Sequence, residues 1–268
     1  MSIEMSGIRI NKYLSEYGIC SRREADRMIE SGKVSIDGRR ARMGDRVMPG
    51  QQVFVEGRLV GKKDKNVLLV FHKPRGVVCT SQKRDKNNIV DYIGYPVRVY
   101  PIGRLDQDSE GLILLTNYGP LANWLTHPSF CHEKEYLVRI DKDVTADFLK
   151  RMGSGVPVLG KMTNPCKVKK MGDKEFSIVL TQGMNRQIRR MFEYLGCRVV
   201  RLRRIRIMDI HLDGLPVGKY REATKKEWNY LMKQMEKEPT KKEGKAGGNY
   251  GRGVGQNERA GTKAKRGR

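Results

Sequence analysis

Gly103-Arg104-Leu105-Asp106-Gln107-Asp108-Ser109-Glu110-Gly111-Leu112 is an acidic stretch set between two apolar runs, Val97 to Ile102 before it and Leu112 to Thr116 after it. Short apolar runs bounded by turn residues read as strands. Gly103 and Gly111 let the backbone turn tightly at either end of the stretch. The spacing predicts a strand–turn–strand unit whose turn carries three carboxylates, Asp106, Asp108 and Glu110, beside Arg104. Such a turn can be a reactive site or merely a solvated one, and the spacing alone leaves both readings open.

Working outward, further strands are predicted at Val67–Phe71, Tyr136–Ile140, Cys166–Lys170, Phe176–Leu180, Val199–Arg206 and Lys219–Glu222. Helices are fewer. Leu121–Thr126 is short, and Thr145 can cap Ala146–Met152. Asn185–Leu195 puts Ile188, Met191, Phe192 and Leu195 on one face, with Gly196 as a stop. Thr224-Lys225-Lys226-Glu227 has capping-box spacing ahead of a helix bearing Trp228, Leu231, Met232 and Met235. Strands outnumber helices and do not alternate with them strictly. The fold class is therefore α+β, on a mostly antiparallel, mixed sheet.

The first 60 residues read as a separate small unit. Ile8–Tyr17 is expected to be a helix ended by Gly18. Ser21-Arg22-Arg23-Glu24 has capping-box spacing before a second helix with Ala25, Met28 and Ile29 on its apolar face. Asp37-Gly38 signals a hairpin, and Gln52–Glu56 a closing strand. Residues 61–66 form a charged linker, and 67–236 a larger domain. Residues 237–268 hold no Leu, Ile or Phe, so they are expected to be a disordered basic tail.

Lys and Arg outnumber Asp and Glu by 54 to 30, a net charge of +24. Such an excess repels itself unless a polyanion neutralises it. Nucleic acid fits, because phosphates supply a large share of its affinity for proteins. A membrane surface would call for a basic amphipathic helix, which the sequence does not display. The five cysteines are scattered and never spaced as C-x-x-C, which points to reduced thiols in a cytoplasmic protein and away from zinc. The nearest approach to a metal cluster is His127, Cys131 and His132, and no second ligand pair accompanies it. Met1–Gly7 lacks the apolar stretch of a signal peptide, and no run of ~18 apolar residues exists to span a membrane.

Two more clusters carry chemistry. In Asn185-Arg186-Gln187-Ile188-Arg189-Arg190, a cap at Asn185 would place three arginines in the first turns of a helix, against its dipole. A phosphate or a buried carboxylate would justify that placement, and so would a generic RNA-facing patch. In Lys134-Glu135-Tyr136, the tyrosine at a strand start could stack on an unstacked base or simply pack in the core. In the small unit, Arg22, Arg23, Arg27 and Lys33 lie on or just after the second helix. Arg22 and Arg23 cannot both share the apolar direction, so part of this set faces solvent and is available to RNA phosphates.

Taken together and in this order, the motifs resemble those of the RsuA/RluB/RluE/RluF family of pseudouridine synthases, over roughly residues 8–235. Gly103-Arg104-Leu105-Asp106 is similar to the family's catalytic motif. Lys134-Glu135-Tyr136 resembles its tyrosine motif and Asn185–Arg190 its arginine motif. Lys73-Pro74-Arg75-Gly76 resembles the segment that opens the catalytic domain. The first 60 residues resemble the α-L RNA-binding domain that also occurs in a small-subunit ribosomal protein. Arg204–Met208 and Leu215–Gly218 look closest to the RluF-like branch, which modifies large-subunit ribosomal RNA. The resemblance implies an isomerase that needs no cofactor or metal. Asp106 would be the catalytic carboxylate, Arg189 the cation that keeps it ionised, and Tyr136 the ring against the flipped uracil. Arg104, Asn185 and Arg186 would bind substrate. The implied partner is 23S ribosomal RNA, with transfer RNA as a second candidate, and the enzyme is expected to be a monomer. Three other readings are disfavoured. An assembly factor would need no such motif set. A glycoside hydrolase pairing Asp106 with Glu135 would lack its raised-pKa acid. A DNA-binding regulator would rest on a single helix.

Overall fold

The computed structural model describes residues 7–82 and 84–238. The chain opens with β1 (Ile8–Arg9), α1 (Ile10–Glu16), α2 (Arg22–Glu30), β2 (Val34–Ile36), β3 (Arg39–Arg40), β4 (Arg46–Val47), β5 (Val53–Val55) and β6 (Arg58–Leu59). Ile10, Leu14, Ala25, Ile29, Val34 and Val53 close a small core of their own. The Ser21 hydroxyl accepts the Glu24 N–H at 3.2 Å and so starts α2, while the Glu24 carboxylate turns to Arg27. The helix expected from Ile8 begins two residues late. Ile8 and Arg9 pair instead with Val47 and Arg46, which satisfies their backbone groups in a ladder.

Residues 61–66 are tied at both ends. Lys63 pairs with Glu16 of α1 at 3.1 Å. Asn117 grips the other end, donating to Lys65 O and accepting from Val67 N, both at 2.8 Å.

The larger unit runs β7 (Leu68–Lys73), α3 (Ile89–Ile93), β8 (Tyr100–Ile102), β9 (Glu110–Thr116), α4 (Gly119–Thr126), β10 (Lys134–Ile140) and α5 (Ala146–Ser154). It continues through β11 (Pro157–Val158), β12 (Lys161–Met162), β13 (Lys167–Lys170), β14 (Glu175–Leu180), α6 (Gln187–Tyr194), β15 (Val199–Ile207), β16 (Ile210–His211), β17 (Tyr220–Glu222) and α7 (Lys225–Lys237). The class is α+β, as expected. The main sheet has the order β13-β14-β10-β15-β9-β7-β17, with β8 beside β9 and β16 beside β15. Every pairing in it is antiparallel except β9 with β15, where Glu110 and Gly111 lie opposite Arg203 and Arg204.

That parallel seam depends on a glycine. Gly111 has φ +113°, and a Cβ there would lie 2.2 Å from Arg204 O. No other residue lets β15 come so close. The sheet is covered on both faces. Leu68 and Val70 pack with Trp124 and Leu231, while Leu69 and Phe71 pack with Ile89 and Leu105. Burial on both faces explains why β7 reads as a continuous apolar run rather than an alternating one. A third cluster joins β10, β14 and β15 to α6 through Val138, Phe176, Leu202, Ile188 and Phe192.

Helix α7 reaches Lys237, so the tail expected from that residue starts at least one residue later; residues 239–268 lie outside the described residues. Among the described residues no helix is long and apolar enough to cross a membrane.

Candidate active site

The turn between β8 and β9 is held by the segment that follows β7. Lys73 is fully buried, and its ammonium donates to Ser109 O and Pro74 O, each at 2.8 Å. Burial pulls the Lys73 pKa down, an effect that the nearby Asp108 and Asp106 charges oppose. Gly76 N donates to Gln107 O at 2.7 Å, and Gln107 Nε2 donates back to Gly76 O at 3.1 Å. Leu105 is buried beneath the turn, and its N–H reaches Cys79 Sγ at 3.3 Å. Within the turn Ser109 N donates to Asp106 O at 3.1 Å. Asp106 is thereby fixed in backbone while its side chain stays 31% exposed.

Asp106 opens onto a cleft of about 690 Å³ that Arg104, Tyr136, Asn185, Arg186 and Arg189 also line. Six of the ten expected site residues therefore meet in one place. The other four, Arg22, Arg23, Arg27 and Lys33, are exposed on the small unit and do not line the cleft. Arg27 pairs with Glu24 there, and Lys33 with Glu56 at 2.7 Å.

The arginine motif is arranged differently from the expectation. Asn185 does not cap the helix: Arg186 occupies the N-cap position with φ +48° and ψ +34°, and α6 starts at Gln187. This left-handed turn sends the Arg186 guanidinium back toward the acidic turn, 3.6 Å from Asp106 Oδ2 and 3.3 Å from Asp108 Oδ1. Arg189, expected directly against Asp106, pairs with Asp108 Oδ2 at 3.1 Å. It is buried, and also donates to Val199 O at 3.2 Å, Asp108 O at 3.3 Å and Ser109 Oγ at 3.5 Å. Burial pulls the Arg189 pKa down, an effect the Asp108 charge opposes. Burial would also raise the Asp108 carboxyl, but hydrogen bonding to Arg186 and the charge of Arg189 hold it below its ordinary range. Arg190 folds onto its own loop, donating to Asn185 O at 3.1 Å.

Tyr136 is the third residue of β10 rather than its first, since Lys134 and Glu135 already pair with β14 and β15. It sits opposite Arg204, whose guanidinium carbon is 6.0 Å from its ring centre. Glu135 points to the other face, where it accepts from Arg206 at 2.9 Å, so it offers the cleft no second carboxylate. His132, one of the His127, Cys131 and His132 group, bonds to Trp124 O at 3.2 Å and lies against the Trp124 and Phe130 rings. Sequence reasoning missed Asp108 as the partner of Arg189, Lys73 as a clamp, and Lys134 and Arg204 as cleft-lining cations. For Arg204 a signal existed: it stands two residues after the apolar Leu202 on a strand and so shares its inward face.

Among the described residues, five basic side chains (Arg104, Lys134, Arg186, Arg189 and Arg204) line the cleft against one carboxylate, Asp106. A small basic unit joined to a mixed-sheet domain with such a cleft defines an enzyme that acts on a polyanion. The sequence model of the RNA pseudouridylate synthases matches residues 67–194, and that of the S4 domain residues 8–53. The chain is 50% identical over 233 residues to dual-specificity RNA pseudouridine synthase RluF of Escherichia coli strain K12, covering 86% of this chain and 80% of that one. It is 35% identical over 225 residues to ribosomal large subunit pseudouridine synthase B of Bacillus subtilis, covering 81% and 92%. A solved structure of a pseudouridylate synthase superposes with a TM-score of 0.62 at 29% identity, over 84% of this chain and 99% of that one. The chain belongs to the RsuA/RluB/RluF family of pseudouridine synthases, and it is an isomerase that acts on RNA.

Proposed function

We propose that this enzyme converts a uridine of 23S ribosomal RNA to pseudouridine with Asp106 as its catalytic carboxylate. The observation that carries this reading is the isolation of Asp106: among the described residues it is the one carboxylate lining a cleft otherwise rich in cations. The large-subunit target is supported by the name of the Bacillus subtilis relative and by the likeness to RluF.

The reaction breaks the bond between uracil N1 and ribose C1′, turns the base, and joins C5 to C1′, with C5 losing a proton and N1 gaining one. Nothing is gained or lost overall, so the chain's own residues can supply the chemistry. The uridine must first leave its stack. Arg104 is exposed on the lining of the cleft, where it can help to extrude the base. Tyr136 provides a flat face on which uracil can rest, backed by the Arg204 guanidinium. The carboxylate of Asp106 then meets the sugar, either by attack at C1′ or by taking a proton from C2′. Arg186 stands beside that carboxylate and Arg189 acts at one remove, through Asp108.

The test is direct. Ribosomal RNA treated with the enzyme is mapped for pseudouridine by carbodiimide modification and reverse transcription. Asp106→Asn keeps the shape and removes the charge. It is expected to give no product while RNA binding is largely kept. Turnover above a few per cent of the parent would overturn the assignment of Asp106, and product on transfer RNA alone would overturn the ribosomal target.

A further inference from the structure

Strand β10 and its neighbour β15 carry two sets of cations that are treated in opposite ways. On the outer face Arg206 receives two carboxylates, Glu133 at 3.0 Å and Glu135 at 2.9 Å. On the cleft face lie Lys134 and, opposite Tyr136, Arg204. Neither has a carboxylate within ion-pair reach among the described residues. Lys134 donates to His132 O at 2.9 Å and has two further N–H donors. Arg204 is 3% exposed and donates through Nε to Leu112 O at 2.7 Å, but its Nη2 is buried and meets no acceptor. Buried cations are normally paired, because the attraction of a partner offsets their lost hydration. Here two acids lie next door in sequence and both serve the outer face. The cleft pair is left with its charge uncompensated.

We propose that Lys134 and Arg204 form an anion subsite in the wall of the cleft, which takes the phosphate attached to the flipped nucleotide. Tyr136 adjoins both cations, two residues from Lys134 along β10 and opposite Arg204 on β15. A base resting on that ring carries its phosphate within the reach of a lysine side chain. The inference rests on the proposed role of Tyr136 as the platform for uracil. Lys134 also marks the subsite by its titration. Burial and the Arg204 charge pull its pKa down to about 8, while Cys131 acts in the other direction. A phosphate beside the ammonium favours the charged form, so the complex holds the proton to higher pH than the free enzyme does. Binding then takes up a proton above about pH 8. Affinity from this contact is complete below that pH and weakens as pH rises through it. The neighbours are the Arg204 guanidinium and His132; burial lowers the His132 pKa, so that ring stays neutral over the window.

The experiment measures retention of 23S ribosomal RNA on filters by the full-length enzyme, between pH 7 and 9.5 and over a series of salt concentrations. All variants carry Cys131→Ser to remove the neighbouring thiol, and melting curves accompany each. Lys134→Met is expected to weaken binding about tenfold at pH 7.5 and to reduce the salt slope by about 0.7–0.9, the share of one phosphate contact. Lys134→Arg, whose charge does not titrate, should bind more tightly than Lys134→Met and lose the weakening between pH 8 and 9.5. An unchanged salt slope in Lys134→Met, or the parental pH dependence in Lys134→Arg, overturns the subsite. Both readouts are of binding alone. A parent enzyme that formed no pseudouridine would overturn the proposed function without disturbing this measurement.

Discussion

Arg189 and Asp108 show how one buried cation organises the site. Arg189 fastens the acidic turn to β15 by reaching Asp108, Ser109 and Val199 at once. Asp108→Asn should strand a buried guanidinium whose other partners are all neutral. Losing one member of a fully buried pair costs ~3–5 kcal/mol, but the Asp108 side chain is 41% exposed, so about 1–3 kcal/mol is expected here. Arg189→Ala should be less stable and poorly active, whereas Arg190→Ala, which loosens only its own loop, should melt near the parent. Indistinguishable melting and activity for the two arginine variants would refute this division of labour. The sign with pH follows from the lowered Asp108 carboxyl. The pair's contribution is complete at neutral pH and fades as pH falls through the carboxyl's depressed folded-state pKa. The sequence displayed both charges plainly. Their pairing was illegible because 81 residues separate them, and Asp106, a short step along the same turn, was an equally good partner on paper.

At the scale of elements, local signals were read well and long-range ones poorly. The caps at Ser21, Thr145 and Thr224 stand where hydroxyl and spacing put them, and Thr224 with Glu227 forms the complete box. Helix α3 and the β11–β12 hairpin escaped notice, since each is too short for a periodicity to develop. The start of α6 was misplaced because a non-glycine residue, Arg186, takes the left-handed conformation there, and no composition rule announces that. Gly111 was read as a turn residue. In the fold it is the point where β9 and β15 touch. Gly111→Ala should force those strands apart, with a Cβ aimed at the Arg204 backbone. Overpacking typically costs ~1–3 kcal/mol, and a backbone obstacle at positive φ belongs at or above the top of that range. Urea denaturation checks this; a midpoint within error of the parent would show that the seam tolerates a side chain.

Across the whole molecule, the proposed chemistry falls in the larger unit, and the small unit adds a separate set of exposed cations. Arg22, Arg23, Arg27 and Lys33 are exposed on the small unit, away from the residues that line the cleft. Deleting residues 1–60 should weaken binding to folded RNA and flatten its salt dependence, by about 0.7–0.9 in slope for each phosphate that the small unit neutralises. Slow modification at saturating RNA should survive, as Asp106, Tyr136 and Arg189 all belong to the larger unit. Salt titration with single-turnover kinetics reads both quantities, and unchanged affinity in the truncation would remove the small unit from RNA recognition. Within the larger unit, the seam between β9 and β15 spans only two paired positions, stitched by Arg201 to Glu110 at 2.6 Å and Arg204 to Leu112 O at 2.7 Å. Asp106 belongs to the half of the sheet on one side of that seam, Tyr136 and Arg189 to the half on the other. A chain in which each half has folded but the seam has not closed does not bring the proposed catalytic residues together. Activity thus requires the seam to be closed, whereas the exposed cations of the small unit lie outside it.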